Sequence, residues 1–316
     1  MKVLVTGAAG YIGKILVKKL IQNQNIDAVF ALDKKGKPKD FENLKVNYFQ
    51  LDLARDAWEE KLPNIPDVII HLAFDIRTPY GKRKDQEFNN LFSMERVLGY
   101  CSNKKVSRLI YSSSVSAYGA RKENIGKFLK EDSQLTENEY PYGDQKKKIE
   151  EILKEKKIST QIFVLRLASV NGPEGEKRKG FGLLNFIKHI FPILPVINNT
   201  WTRQYLHEED ALRVIDFLIF KETKDQFNVF NIALSDFLTI SKMAKLINKK
   251  IIKIPVWIIK PIFFLVWHLT FGRVSTPKGS ERFFTYPINV NGSKIENLGF
   301  NYKYSLEEAF LGRDVN

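Results

Sequence analysis

Lys2-Val-Leu-Val-Thr6-Gly7-Ala-Ala-Gly10-Tyr11-Ile12-Gly13 opens the chain, and a helix-like run continues to Asn23. A short apolar strand, three glycines spaced three apart and an amphipathic helix follow one another without a break. Glycine permits the tight turn and lets backbone approach a pyrophosphate, while the helix start behind it offers unpaired N–H groups and a favourable dipole. Gly7, Gly10, Tyr11, Ile12 and Gly13 are therefore expected to cradle a dinucleotide.

Working outward, strand-like runs recur at Lys2–Thr6, Asp27–Leu32, Lys45–Leu51, Asp67–Leu72, Ser107–Ser112 and Gln161–Leu167, and helical patterns at Tyr11–Asn23, Ala54–Lys61, Gln86–Cys101 and Tyr142–Lys157. Such alternation predicts an α/β fold, a doubly wound parallel sheet covered on both faces. After about residue 170 the segments grow longer and richer in aromatics, with Pro173, Pro192, Pro195, Pro255 and Pro261. The expected organisation is a Rossmann-type dinucleotide-binding domain over 1–170 and a smaller substrate-binding α/β portion over 171–316, interleaved with the sheet.

The 316 residues carry 44% hydrophobic side chains, enough for a substantial core, and a net charge of +14 that asks for an anionic partner. One cysteine, Cys101, excludes a disulfide framework and a cysteine-based metal site, and suits a reducing cytoplasm. The first strand begins at Lys2, so no signal peptide is expected. No zinc-finger spacing or basic-aromatic repeat points to nucleic acid. The charge is concentrated: Lys242 to Arg282 holds nine Lys/Arg against one acid, Glu281.

Asp33 closes the second strand about twenty residues past Gly13, where an acid meets the adenosine ribose hydroxyls. A carboxylate there repels a 2′-phosphate and favours NAD over NADP, although Lys34 and Lys35 follow at once. Asp52-Leu53 ends the third strand and His71-Leu72-Ala73 the fourth, both at the carboxyl edge where open sheets bind ligands. His71 reads as a packed core histidine. Tyr142 and Lys146 stand at i and i+4 on one helix face, behind Pro141. A tyrosine with pKa near 10 is a poor base at neutral pH, and a neighbouring ammonium favours its phenolate. Ser112-Ser113-Ser114 lies upstream, after the fifth strand.

TGAAGYIG, Asp33, Asp52-Leu53, HLAF, YSSSVSAYG (111–119), PYGDQK (141–146), LRLASVNGP (165–173), TRQYLHEEDA (202–211) and FNIA (230–233) together resemble the extended short-chain dehydrogenase/reductase family, the NAD-dependent sugar-nucleotide epimerases and dehydratases. The resemblance implies that Tyr142 is the acid/base, that Lys146 binds the nicotinamide ribose and lowers the tyrosine pKa, and that Ser114 hydrogen-bonds the reacting oxygen. It also implies that Arg203 contacts a substrate diphosphate, that Ser169 replaces an asparagine at that subsite, and that Lys177-Arg178-Lys179 borders the substrate. Relatives are often homodimers through the helix that carries the tyrosine and lysine.

Several positions depart from the pattern: Phe74 follows His-Leu-Ala, Phe92-Ser93 follows Asn89 where Gly-Thr is usual, and Asn171 replaces a tyrosine. Val115 and Ser116 stand where 4,6-dehydratases have Asp-Glu, which disfavours dehydration, and Cys101 is misplaced for epimerase-reductase chemistry. Val256–Phe271 (VWIIKPIFFLVWHLTF) reads as a core or lid helix, as a helix lying on an anionic membrane surface through 251–282, or as a span, for which 16 residues are too few. The reading is a cytoplasmic enzyme, peripheral at the membrane if that helix lies on it. It acts on a UDP- or dTDP-sugar with NAD and no metal; the alternative is a hydroxysteroid- or lipid-type dehydrogenase or ketoreductase at a membrane surface.

Overall fold

The computed structural model describes residues 1–42, 44, 46–177, 193–197 and 201–313; Lys45, Arg178, Lys179 and Pro192 lie outside them, and no more is said of Pro195 than its backbone. The first six strands are β1 (Lys2–Thr6), β2 (Ala28–Asp33), β3 (Asn47–Gln50), β4 (Val68–His71), β5 (Arg108–Ser114) and β6 (Gln161–Leu167). With a seventh, Phe227–Ile232, they form one sheet in the order 7-6-5-4-1-2-3, every pair parallel. The direction of strand order reverses between β1 and β4, which makes that crevice the natural ligand site of a doubly wound sheet.

Alternation of side chains along each strand divides the core between two faces. Val3, Val5, Val29, Ala31 and Ile70 join the layer beneath α1 (Tyr11–Leu20) and the Glu208–Phe220 helix. Leu4, Phe30, Leu32, Ile69 and Leu109 join the layer beneath α2 (Arg83–Lys104) and α3 (Pro141–Glu155). A third cluster, including Trp201, Tyr205, Leu238, Met243 and Phe310, gives the C-terminal portion its own small core.

Two differences from the sequence reading have local causes. Over Ala54–Lys61 only a 3₁₀ turn at Trp58–Glu60 forms. Asp52 starts a turn by accepting from the Ala54 N–H at 2.8 Å, but Ala57 has ψ 60°, outside helical space, and Trp58 is turned inward to pack on Tyr100. The helix expected from Gln86 begins at Arg83 and runs to Lys104, closed by left-handed Lys105 (φ 54°). The seventh strand lies beyond residue 170, where Phe227-Asn-Val-Phe-Asn-Ile232 pairs in parallel along β6.

Candidate active site

The loop after β1 and the end of β4 meet at the crevice. Gly7 takes φ +72°, and a Cβ there would lie 2.6 Å from the Ala73 nitrogen, so no side chain fits. Gly13 is equally constrained, since a Cβ would come within 2.2 Å of the Gly7 carbonyl oxygen. Gly10 is the N-cap of α1, with no side-chain cap, and the first turn of the helix carries no acid of its own. Leu72 and Ala73 form the opposite wall.

Asp33 is buried at the end of β2, one carboxylate oxygen accepting from the Ala9 N–H at 3.0 Å and the other from the Lys35 N–H at 2.9 Å. It therefore ties the glycine loop to its own strand end. Lys34 pairs with Asp75 at 2.7 Å across the mouth. Asp52 and Leu53 sit beyond β3, where the Leu53 carbonyl accepts from Arg96 at 2.7 Å. His71 is buried, shares a 2.8 Å hydrogen bond between its Nδ1 and Thr6 Oγ1, and stacks on Tyr111. Burial and the Lys146 charge pull its pKa down to about 3, so it is a neutral core residue.

Ser114, Tyr142 and Lys146 converge at the carboxyl edge of β5. Ser114 Oγ accepts from the Ser116 N–H at 3.1 Å, which leaves its own proton to donate toward Tyr142. Burial pushes the Tyr142 phenol up from its ordinary value, and the hydrogen bond from Ser114 opposes that rise. Lys146 is buried; its Nζ donates to the Ser112 carbonyl at 2.6 Å and lies 5.9 Å from the Tyr142 ring centre. Burial pulls its pKa down to about 7, with Glu150 acting the other way. In this arrangement Lys146 directs its ammonium to the Ser112 carbonyl and to the faces of Phe74 and Tyr111.

Arg203 and Ser169 meet, with Nε donating to Oγ at 3.0 Å. Among the described residues Arg203 forms no ion pair with the nearby acids Glu208 and Glu209: Glu209 pairs with Lys19, and Glu208 is held by Tyr11 and by the N–H groups of Glu174 and Gly175. Lys177 pairs with exposed Glu174.

Against known proteins, residues 3–233 match the model of the NAD dependent epimerase/dehydratase family. The chain belongs to this family. It is 29% identical over 274 residues to an ADP-L-glycero-D-manno-heptose-6-epimerase of Brachyspira hyodysenteriae, covering 78% of this chain and 81% of the relative. A dTDP-D-glucose 4,6-dehydratase of Dictyostelium discoideum is 26% identical, covering 98% of this chain and 79% of the relative. A Bacillus cereus UDP-glucuronic acid 4-epimerase, solved in complex with UDP-glucuronic acid and NAD, shares the fold at TM-score 0.74 and 22% identity, covering 99% of this chain and 98% of that one.

Within this epimerase/dehydratase framework, residues that the sequence did not single out hold the site in place. Glu137 is buried, and one of its oxygens accepts from the N–H groups of Asn138, Glu139 and Tyr140 at 2.9, 2.9 and 3.0 Å, fixing the approach to α3. Gly143 lets α3 press on the turn after Ser114, where a Cβ would lie 2.5 Å from the Ser116 carbonyl oxygen. One turn below Lys146, Glu150 receives Arg166 through Nε and Nη2 at 2.9 and 2.7 Å and also the Ser113 hydroxyl. Arg166 continues to Tyr118 at 2.6 Å, and Tyr118 to Asn231 at 2.8 Å. On the other side, Asn90 links the Asp75 N–H to Gln145 at 2.8 and 2.7 Å.

The departures from the family pattern also find their places. Phe74 covers Lys146 and meets Tyr142 edge-on at 5.5 Å. Asn171 donates to Glu176 at 2.7 Å and to the carbonyls of Ala309 and Phe310, tying this part of the site to the C-terminal helix. Cys101 is buried on α2 with its thiol pushed up to about 12, remote from any redox or acid role.

Proposed function

We propose that this chain is an NAD-dependent epimerase or oxidoreductase that acts on a nucleotide-activated sugar, a UDP- or dTDP-sugar. The observation that carries this reading is the convergence of Ser114, Tyr142 and Lys146 at the carboxyl edge of the sheet, beside the glycine-lined crevice. The residues suit NAD: a turn that only glycine can occupy at Gly7, a helix start with no acid in its first turn, and Asp33 at the strand end. Gly7, Gly10, Tyr11, Ile12 and Gly13 would hold the pyrophosphate, Asp33 the adenosine ribose, Asp52 and Leu53 the adenine side, and Leu72, Ala73 and Lys146 the nicotinamide half. Pairing of Lys34 with Asp75 removes a cation that would welcome a 2′-phosphate. When bound, the nicotinamide supplies hydride acceptance and return.

The protein's own part is proton transfer and positioning. Tyr142 takes the proton of a sugar hydroxyl through its phenolic oxygen, while Ser114 donates to the reacting oxygen and keeps it in line. Lys146, charged, stabilises the phenolate. Arg203 offers a fork of donors to a diphosphate, with Ser169 orienting its Nε. Val115 and Ser116 bring no carboxylate, so this reading favours epimerisation or net redox over loss of water. A homodimer through α2 and α3 is part of the proposal, supported by the exposed Phe88 stacked on Phe92.

The test is to load the protein with NAD, add UDP- and dTDP-hexoses, and identify products by mass spectrometry and NMR. Epimerised or oxidised sugar is expected, with a raised melting temperature for the complexes. Failure of NAD and of every nucleotide sugar to bind would overturn the reading.

A further inference from the structure

The Val256–Leu269 helix turns its apolar surface outward. Only Ile259 and Phe263 on it are buried, one turn apart, whereas Trp257 is 76% exposed, Phe264 62%, Leu265 54% and Leu269 76%; Phe271, just beyond it, is 73% exposed. A helix of this composition normally buries its apolar side, and a contiguous exposed patch of this kind marks an interaction surface. Exposed Lys250, Lys253, Lys260, Arg273 and Lys278 lie on the helix or flank it along the chain, and none of the five forms an ion pair among the described residues. The Lys250–Lys253 strand leading into it is exposed throughout.

We propose that this helix and its flanking cations dock the protein on the surface of an anionic lipid bilayer, lying in the interface plane. The arrangement matches what such a surface attracts: tryptophan and large aliphatic side chains for the acyl boundary, with lysines and arginines at headgroup level. Fourteen residues reach only about 21 Å, less than the roughly 30 Å hydrocarbon core. No helix among the described residues is long and apolar enough to cross a membrane. A second copy is the poorer occupant, because a symmetric contact would set these cations against their own copies.

The helix is also wired to the site. Phe263 packs on Phe284 at 5.5 Å, Phe283 on Tyr140 at 4.8 Å, and Tyr140 on Tyr142 at 6.0 Å. Tyr80, on the segment between β4 and α2, contacts Trp267 and Phe271 and hydrogen-bonds His268 at 2.7 Å. The proposal stands on the helix alone and does not need the catalytic reading.

The experiment is sedimentation of the full chain with vesicles of equal parts phosphatidylglycerol and phosphatidylcholine, and with phosphatidylcholine alone. Co-sedimentation with the anionic vesicles is expected, with a blue shift of tryptophan emission and at least about tenfold weaker binding in high salt. The double variant Trp257→Ser/Leu269→Ser changes only exposed positions and should lose binding with its melting temperature and NAD binding unchanged. Lys253→Glu/Lys260→Glu should weaken binding to the anionic vesicles selectively. Absence of sedimentation, equal binding to both vesicle types, or loss of self-association in the double variant without vesicle binding by the parent would each overturn the proposal; the last would assign the patch to a second copy.

Discussion

The ammonium of Lys146 lies 3.8 Å from the ring centre of Phe74, and 4.7 Å from that of Tyr111 on its other side. The two rings and the Ser112 carbonyl replace water around a charge, and its pKa falls from 10.5 to about 7. Between those values the unfolded chain binds more protons than the fold, so stability rises with pH across that window. The penalty for burying Lys146 is complete below pH 7 and is relieved as pH climbs toward 10.5. Lys146→Met should therefore stabilise the protein by about 2 kcal/mol below pH 7, with the gain shrinking at alkaline pH. Urea unfolding of both proteins across this range measures it; a gain that grew with pH would contradict the account.

His71 acts with the same sign at acid pH. Its folded pKa is pulled to about 3 from 6.5, so the fold loses stability as pH drops below 6.5, with a slope approaching 1.4 kcal/mol per pH unit. His71→Gln keeps an acceptor for Thr6 and removes the titration. The variant should show a flatter loss of urea midpoint in acid than the parent, though it begins less stable. Parallel acid limbs would show that His71 does not titrate as described.

Asp33 holds two backbone N–H groups and faces the place proposed for the adenosine ribose. Asp33→Ser should weaken NAD binding at least about tenfold and shift the NADP-to-NAD preference toward NADP, because the repelling carboxylate is gone. Calorimetric titration with each dinucleotide gives the ratio. An unchanged ratio would remove Asp33 from the cofactor assignment.

Arg203→Leu should weaken UDP binding by about 2 kcal/mol while leaving NAD binding within about twofold, since a charge-assisted contact is removed from one ligand only. Ser169→Ala frees the Nε that it now receives, and a smaller loss is expected. Equal losses for UDP and NAD would mean that Arg203 supports the fold and not the diphosphate.

The glycine loop was readable because its constraint is local: Gly7 and Gly13 are dictated by backbone contacts that a turn of fixed length must make. Tyr142 and Lys146 were readable as a pair because helical spacing alone puts them on one face. What surrounds them was not. Glu150 and Arg166 meet only because α3 packs across β5 and β6, and nothing in the spacing of Glu150 distinguishes it from Glu151, which is exposed. The seventh strand was obscured by its own chemistry. Asn228 and Asn231 interrupt the apolar run, yet both are buried, with Asn231 donating to the carbonyls of Leu129 and Asn291. The turn at Ala54–Lys61 failed as a helix for a tertiary reason, the inward demand of Trp58.

The central claim is that the Tyr142 oxygen moves the proton of a sugar hydroxyl. Rapid mixing of the NAD-loaded protein with its nucleotide sugar, followed through the absorbance of reduced nicotinamide, tests it in one turnover. Tyr142→Phe should slow that reduction by at least about a thousandfold while the affinities for NAD and for UDP stay within about threefold of the parent. Reduction at the parental rate in Tyr142→Phe, with both ligands bound, would contradict the account.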